Sequence, residues 1–291
     1  MIPRWMGPAA FRALLMVGLL VPLSLAAQPR RTRPIRPGPI PGGEIVIEST
    51  DSGCEAPDQV DAGLVNVRLF NRGSALRHVE FIRRERLTPL SEVRELVLTN
   101  DRNVPWLRAL GGPAPAAPGG VSSATLILER GNYVLSCVFA GTPSLRQPFP
   151  DGIVKELTVT AGVGPMRPAT LPAAELSMRL FEWNFVVDGL LFAGRRTIRV
   201  ENAGRLEHNV WIARLLPGRT PEQAAAWVSD PRGAPPFEAV GGTTEIEADR
   251  AINITVDFLP GEYVLLCTLY NPLSRRTHIG HGMMKAVRVV N

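Results

Sequence analysis

A repeat with an offset of 130 residues constrains the fold of this chain more than any other feature of its sequence. The segment Gly131–Cys137, which reads Gly-Asn-Tyr-Val-Leu-Ser-Cys, returns as Gly-Glu-Tyr-Val-Leu-Leu-Cys in Gly261–Cys267. Three further pairs share the offset, namely His78 and His208, Gly111-Gly112 and Gly241-Gly242, and Gly152 and Gly282. Because chance does not hold one offset across so many anchors, the sequence predicts a tandem duplication.

The repeat divides the chain into two units of similar length. We place the first unit at residues 44–161 and the second at residues 174–291, with a Gly/Pro-rich linker at residues 162–173. A chain of 291 residues has room for two such domains, each large enough to bury a core of its own.

Short apolar runs separated by turn residues fill both units and predict strands. They are Glu44–Glu48, Gly63–Phe70, His78–Arg83, Ser123–Glu129 and Tyr133–Phe139 in the first unit, and Leu176–Val187, Thr197–Glu201, Asn209–Leu215, Asn253–Phe258 and Tyr263–Tyr270 in the second. One helix is expected in each unit, since Thr220-Pro221-Glu222-Gln223 is a capping box and Thr88-Pro89 begins its counterpart. Many short strands without long alternating helices predict an all-β fold of two tandem antiparallel β-sandwiches, each with one short helix.

Cysteine, histidine and methionine bracket one loop near the end of the second unit. Cys267 ends an apolar run, His278 follows it, and Met283 comes five positions later. Another histidine, His208, lies where two other apolar runs meet. Imidazole, thiolate and a weakly bound thioether are the ligands of electron-transfer copper sites. Taken separately, a cysteine at a strand end is more often a small buried hydrophobic residue, and Met283 could belong to the core.

These segments resemble the blue-copper, or cupredoxin, family. Asn202-x-Gly204 followed by His208-Asn209-Val210 is similar to the family's first histidine segment, and Gly261-x-Tyr263-x-x-x-Cys267 with His278-x4-Met283 is similar to its cysteine-to-methionine loop. The resemblance implies a Greek-key β-sandwich and one copper ion held by His208, Cys267, His278 and a long axial bond to Met283. It also implies that Asn209 stands beside the first ligand and supports it.

The loop between Cys267 and His278 departs from the family pattern. Family members usually place two to four residues between these ligands, and here Thr268–Thr277 supplies ten. Loop-closure scaling puts the added cost at about 1.4 kcal/mol, roughly a tenth of the free energy of a typical structural metal site. Copper binding is therefore still predicted. His278 is chosen over His281 as the ligand because only His278 leaves room for a turn before Met283.

The first unit retains only part of this ligand set. It keeps His78 and Cys137, but the repeat offset places Pro148 and Ile153 at the other two ligand positions. Two ligands cannot close such a site, so the sequence predicts a metal-free sandwich in the first unit.

The three cysteines of the chain leave two arrangements open. A disulfide between Cys54 and Cys137 would leave Cys267 as the free thiol for a metal. The alternative is that all three thiols are reduced and buried.

The first 43 residues differ in composition from the rest. Residues 1–27 have the pattern of a secretory signal, with an eleven-residue apolar core and a small-residue cleavage site at Ser24-Leu25-Ala26. Residues 28–43, rich in Pro, Arg and Gly, predict a disordered tether, with contact to an anionic membrane surface as the alternative. Six arginines of these segments account for the net charge of +5, since the remainder carries 26 basic and 27 acidic residues. We therefore predict a periplasmic or secreted protein with no nucleic-acid partner and no transmembrane segment in the mature chain.

Two functions are compatible with the sequence. The first is an exported protein with one copper ion for electron transfer or copper handling, which implies a redox or copper-donor protein as partner. The second is a metal-free module that contacts a partner through the loops 141–151 and 268–282. Enzyme activity is not predicted, because a multicopper oxidase or copper nitrite reductase needs further histidines and the chain has four. Nucleophile-elbow, phosphate-loop and zinc-protease motifs are also missing from the sequence.

Overall fold

A computed structural model of the chain describes residues 43–99, 104–137, 153–161 and 170–291, which all belong to one compact unit. The predicted signal peptide, all but the last residue of the predicted tether and most of the predicted linker lie outside the described residues. Pro148 and the loop 141–151 lie outside them as well. The expectations for these segments stay predictions.

The described part of the first half forms short strands and one helix. The strands are β1 (Gly43–Ser49), β2 (Cys54–Glu55), β3 (Gln59–Asp61), β4 (Gly63–Asn71), β5 (Glu80–Arg84), β6 (Leu107–Ala109), β7 (Val121–Leu128), β8 (Gly131–Ser136) and β9 (Val154–Thr160), and helix α1 is Leu90–Thr99. Buried and exposed side chains alternate along strands such as β1 and β9, as expected for strands with one face on a core.

The second half repeats this series and adds a small hairpin. Its strands are β10 (Leu176–Phe181), β11 (Asn184–Asp188), β12 (Leu191–Phe192), β13 (Gly194–Asn202), β14 (His208–Leu215), β15 (Phe237–Ile246), β16 (Ala251–Phe258), β17 (Gly261–Leu266), β18 (Tyr270–Asn271), β19 (Arg276–Thr277) and β20 (Met284–Val290). Helix α2 is Pro221–Ser229, and its capping box forms, with Thr220 Oγ1 accepting from the Gln223 N–H. A 3-10 turn covers Ile279–His281.

The strand order of the two halves is the same. In the first half, one sheet runs β2-β1-β4-β7 and the other β3-β9-β8-β5-β6. In the second half, the corresponding sheets run β11-β10-β13-β16 and β12-β20-β17-β14-β15. Side chains of both sheets share one buried cluster, so the prediction of an all-β sandwich is confirmed.

Parallel strand pairs are the main departure from the predicted antiparallel arrangement. Each half has two of them, β1 with β4 and β3 with β9 in the first, and β10 with β13 and β12 with β20 in the second. The chain crosses from one sheet to the other between strands that are close in sequence. The strands of these pairs therefore run in the same direction. Such pairings are non-local, and the hydrophobic pattern of a single strand does not encode them.

The segment Leu176–Val187, predicted as one strand, is the β10–β11 hairpin. Its turn consists of Glu182 and Trp183, and Phe181 pairs with Asn184 across it. Trp183 has a φ of 66°, a backbone region that bulky residues rarely adopt. The turn contains no Gly, Pro or Asp, which explains why the sequence pattern continued through it.

A shared sheet joins the halves. Strand β7 pairs with β16 through Asn253 and Thr125 and through Ile254 and Ala124, which gives an eight-stranded sheet. The repeated glycine pairs meet at the same junction, where the Thr244 N–H donates to the Gly112 carbonyl at 2.9 Å. The domain boundaries drawn from the repeat stay a prediction, because the described residues form one continuous unit.

The strand register shows that one pair of residues aligned by the 130-residue repeat is out of step by one residue. In the first half, Glu80 pairs with Ser136, and in the second, Trp211 pairs with Leu266. Since Ser136 and Leu266 are related by 130 residues, the strands β5 and β14 are related by 131. The residue equivalent to His208 is therefore Arg77, and the prediction that His78 is its counterpart is wrong.

Each helix packs on the outer face of one sheet. Helix α1 contributes Val93 and Val97 to a cluster on the first half, and α2 contributes Ala224, Ala225 and Val228 to a cluster on the second. Within the part of the chain that the structure describes, neither helix has the length and apolar character needed to cross a membrane.

Candidate metal centre

The first histidine begins strand β14. His208 pairs with Ile246 of β15, and its side chain is completely buried. The preceding turn is fixed by Asn202, whose Nδ2 donates to the carbonyls of Leu206 and Ile246 at 2.8 Å each. This closed turn holds the imidazole of His208 at the end of the sandwich.

The cysteine follows strand β17 directly. Cys267 is completely buried, and its backbone N–H donates to the Met283 carbonyl at 3.2 Å. Asn209 reaches it from the side: the Asn209 N–H donates to Cys267 Sγ at 3.4 Å, and its side chain exchanges two hydrogen bonds with Thr268. Asn209 thus ties the first histidine segment to the cysteine.

The ten residues between Cys267 and His278 form a hairpin. Tyr270 pairs with Thr277 and Asn271 with Arg276, and the His278 N–H donates to the Leu269 carbonyl at 2.7 Å. The base of the hairpin is therefore closed, and its length does not separate the two ends. The loop is longer than the family pattern because the hairpin projects outward.

A 3-10 turn connects His278 to Met283. The His278 carbonyl accepts hydrogen bonds from the N–H groups of His281 and Met283, and Gly282 ends the turn with a φ of 93°. The Met283 side chain is completely buried in the same hydrophobic cluster as Cys267. The turn returns the chain to the cysteine, as the spacing of His278 and Met283 predicts.

Three donor atoms converge at this end of the second half. Cys267 Sγ lies 3.2 Å from His278 Nδ1 and 3.8 Å from His208 Nδ1, and the two Nδ1 atoms are 3.2 Å apart. All three donor atoms lie within 4.8 Å of one another, and the cluster could hold one metal ion. Because one thiolate and two imidazoles suit copper, the residues present fit a copper ion.

The electrostatics of the cluster favour neutral ligands. Burial lowers the pKa of His208 to about 4, with His278 acting in the same direction. Burial also lowers the pKa of His278 to about 4. The same effect raises the pKa of the Cys267 thiol to about 12, against the opposing N–H groups of Asn209 and Leu269. At neutral pH the imidazoles are uncharged, and the thiol would have to lose its proton to solvent when a metal binds.

Two residues of the site were not identified from the sequence. Trp183 lies edge-on to the His278 ring, with ring centroids 5.1 Å apart, and stacks on His281 at 4.1 Å. Glu182, at the same hairpin turn as Trp183, borders with His208 the small space at Gly204. Neither was found because the sequence pattern ran a single strand through this turn. His281 itself faces away from the cluster, with Nε2 2.7 Å from Ser274 Oγ.

In the first half, the positions equivalent to the candidate ligands are occupied by other groups. Cys54 and Cys137 form a disulfide, and Cys267 is the free cysteine. Arg77 occupies the place of His208 and forms an ion pair with Asp51 at 2.5 Å. Ile153 replaces Met283, and its carbonyl accepts from the Cys137 N–H in the same way.

The second half thus combines a β-sandwich with a buried His-Cys-His cluster that is a candidate metal centre. No family model matches the sequence, and no curated protein is similar to it. Among solved structures, the chain is similar to an auracyanin from Roseiflexus castenholzii, with 19% identity, 41% of this chain and 98% of that one covered, and a TM-score of 0.29. It is also similar to a copper-containing nitrite reductase from Thermus scotoductus, with 11% identity, 85% and 62% covered, and a TM-score of 0.24.

A multicopper oxidase from Pseudomonas thermotolerans is a third similar structure, with 15% identity, 87% of this chain and 69% of that one covered, and a TM-score of 0.24. The match spans less than two thirds of the nitrite reductase. The prediction that the chain is not an enzyme is corrected, because the structures similar to it include nitrite reductase and multicopper oxidases, which are enzymes. Likeness at this level assigns no activity to the chain.

Proposed function

We propose that this chain is an exported protein that binds one copper ion in its second half and uses it for electron transfer or copper handling. His208, Cys267 and His278 would hold the ion as strong ligands, and the Met283 thioether would add a weak one. The observation that carries the proposal is the convergence of two imidazole Nδ1 atoms and one thiol within 4.8 Å in a buried pocket. Bound there, copper would alternate between Cu(II) and Cu(I) and so carry one electron.

The protein residues would prepare this chemistry in three ways. The buried imidazoles are neutral at neutral pH, so neither ring carries a positive charge that would oppose metal binding. Asn209 holds the cysteine sulfur and the first histidine segment together through its backbone and side chain. The hairpin β18–β19 closes the chain between Cys267 and His278, so that both donors keep their places.

The β18–β19 hairpin exposes apolar side chains close to the site. On the same hairpin, the side chains of Leu273 and Tyr270 are 88% and 46% exposed. Exposed apolar side chains at the tip of a loop are suited to contact with another protein. We infer that a redox or copper-donor partner docks there, in a periplasmic or extracellular compartment. A metal-free module that docks through the same hairpin is the second candidate, and the exposure of Leu273 is the observation that favours it.

Redox cycling of copper-loaded protein separates these candidates. An electron-transfer centre should lose its thiolate-to-copper absorption on addition of ascorbate and regain it with ferricyanide over repeated cycles. A copper-handling protein should instead release Cu(I) to a chelator such as bathocuproine after reduction. The metal-free module would show no visible absorption with Cu(II). It would still bind a partner, and Leu273→Ser would abolish that binding.

A further inference from the structure

The carboxylate of Glu182 and the outer nitrogen of His208 border the same small space at Gly204. Glu182 occupies the turn of the β10–β11 hairpin, and its Oε1 accepts hydrogen bonds from the backbone N–H groups of Arg205 and Leu206. Burial alone would raise the pKa of Glu182, but these N–H groups outweigh it and hold the pKa below its usual range. The group is therefore an anion at neutral pH, anchored on the loop that leads into β14.

Gly204 allows this approach. A Cβ atom at Gly204 would lie 2.9 Å from Glu182 Oε1 and 3.0 Å from His208 Nε2. Any larger residue would push the carboxylate and the imidazole apart. The two groups thus share one small space, which only glycine leaves open.

The outer nitrogen of His208 is buried without a hydrogen-bond partner among the described residues. Nδ1 of His208 faces Cys267 and His278, whereas Nε2 is buried and makes no hydrogen bond to any residue in the described ranges. A buried polar group without a partner typically costs about 1–3 kcal/mol. The Glu182 carboxylate is an anionic group that borders the same space at Gly204.

The first half contains the same arrangement with a different charge. Asp51 is equivalent to Glu182, and it accepts from the Ser74 N–H at 3.0 Å on the equivalent loop. A Cβ at Gly73 would lie 2.6 Å from Asp51 Oδ1 and 2.9 Å from Arg77 Nε, as at Gly204. There the carboxylate pairs with Arg77, the residue in the register position of His208. In both halves, a carboxylate at this hairpin turn faces a nitrogen donor on the other side of a glycine.

We propose that Glu182 is a positioning residue for His208: its carboxylate accepts the Nε2–H of the imidazole and so leaves the Nδ1 lone pair directed at Cys267 and His278. A carboxylate behind a metal-bound histidine fixes the tautomer and raises the basicity of the ligand. A more basic ligand and a nearby negative charge both stabilise Cu(II) relative to Cu(I). Glu182 should therefore lower the reduction potential of the centre. This second effect rests on the proposed copper site, whereas the tautomer does not.

Nitrogen NMR of metal-free protein tests the tautomer independently of copper. Long-range ¹⁵N–¹H correlations of the His208 ring should show the Nε2–H tautomer in the wild type and in Glu182→Asp, which keeps the charge. Glu182→Gln keeps an oxygen for the N–H groups of Arg205 and Leu206 but removes the charge, and it should shift the ring towards the Nδ1–H tautomer. An Nδ1–H tautomer in the wild type, or the same tautomer in all three proteins, would overturn the proposal.

The reduction potential of copper-loaded protein gives a second reading. Glu182→Gln should shift the potential upwards, whereas Glu182→Asp should stay close to the wild type. The control is Glu262→Gln, which removes the same charge at the other end of β17, where Glu262 pairs with exposed Arg288. Equal shifts in Glu182→Gln and Glu262→Gln would contradict the proposal. If the wild type takes up no copper, the proposed function fails, and the NMR result still decides the role of Glu182.

Discussion

Arg77 occupies in the first half the strand position that His208 occupies in the second. Both residues follow an asparagine-fixed turn, and both face the carboxylate of a hairpin turn, Asp51 for Arg77 and Glu182 for His208. A fully buried arginine cannot coordinate copper, because its guanidinium carries no free lone pair at accessible pH. The two halves therefore share the geometry of this position and differ in its residue, which is a cation in the first half and a neutral imidazole in the second.

The disulfide of the first half should stabilise the protein. Cys54 and Cys137 are separated by 83 residues, and closing a loop of that length stabilises the folded state by about 3–5 kcal/mol in the chain-entropy model. The Cys54→Ser/Cys137→Ser double variant should lower the free energy of unfolding by about that amount in a urea titration. Thiol counting on denatured, unreduced wild type should find one reactive thiol, Cys267. A count of three would contradict the pairing.

The three histidines of the second half should differ in their effect on copper binding. His208→Ala and His278→Ala each remove a strong ligand and should weaken binding at least about 100-fold, since even outer-sphere partners cost 10–100-fold. His281→Ala is the matched control, because His281 stacks on Trp183 and lies outside the donor cluster. Competition with a chelator measures the affinities. If His281→Ala is as damaging as His278→Ala, the ligand assignment is wrong.

The metal-free protein should lose stability in mild acid. The folded pKa of about 4 for His208 and for His278 lies below the ordinary value of 6.5, so the unfolded chain binds more protons between those values. The free energy of unfolding should therefore be at its full value above about pH 6.5 and fall as the pH drops towards 4, by up to about 3 kcal/mol per histidine. Urea titrations at pH 7 and pH 4.5 measure the change. His208→Gln and His278→Gln should each flatten it, and an unchanged slope in both would contradict the expectation.

Gly242 should tolerate no side chain. Its φ is 138°, and a Cβ would lie 2.0 Å from the Val210 carbonyl oxygen and 2.8 Å from that of Ala114 in the first half. Gly242→Ala should cost about 4 kcal/mol or more, or prevent folding. Gly218→Ala is the control, because Gly218 has a φ of 74° with nothing within 4 Å, and it should cost only about 1 kcal/mol. Thermal unfolding of both variants compares them, and equal losses would contradict the contact at the junction of the halves.

Most of the features that could be predicted from the sequence are encoded by short local motifs. The strands, the helix cap at Thr220 and the positions of Cys267 and His278 follow from short motifs, since each depends on neighbours in the chain. The repeat also predicted the shared strand order, because equivalent sequences form equivalent elements.

The missing parts depend on contacts between distant segments. The one-residue shift that aligns Arg77 with His208 becomes visible only through the pairing of β5 with β8 and of β14 with β17. The turn at Trp183 has no turn residues, so Glu182 was hidden inside a predicted strand. The length of the Cys267–His278 loop gave no indication that its two ends lie close together. The strand pairing within the loop brings them together.

Copper titration of the wild type against Cys267→Ser tests the central claim most directly. Purified protein is incubated with excess Cu(II), freed of unbound metal, and analysed for copper content and visible absorption. We predict one copper ion per chain in the wild type with an intense thiolate-to-copper band, and no such band in Cys267→Ser. A wild type that retains no copper, or a band that persists in Cys267→Ser, would contradict a copper centre on His208, Cys267 and His278.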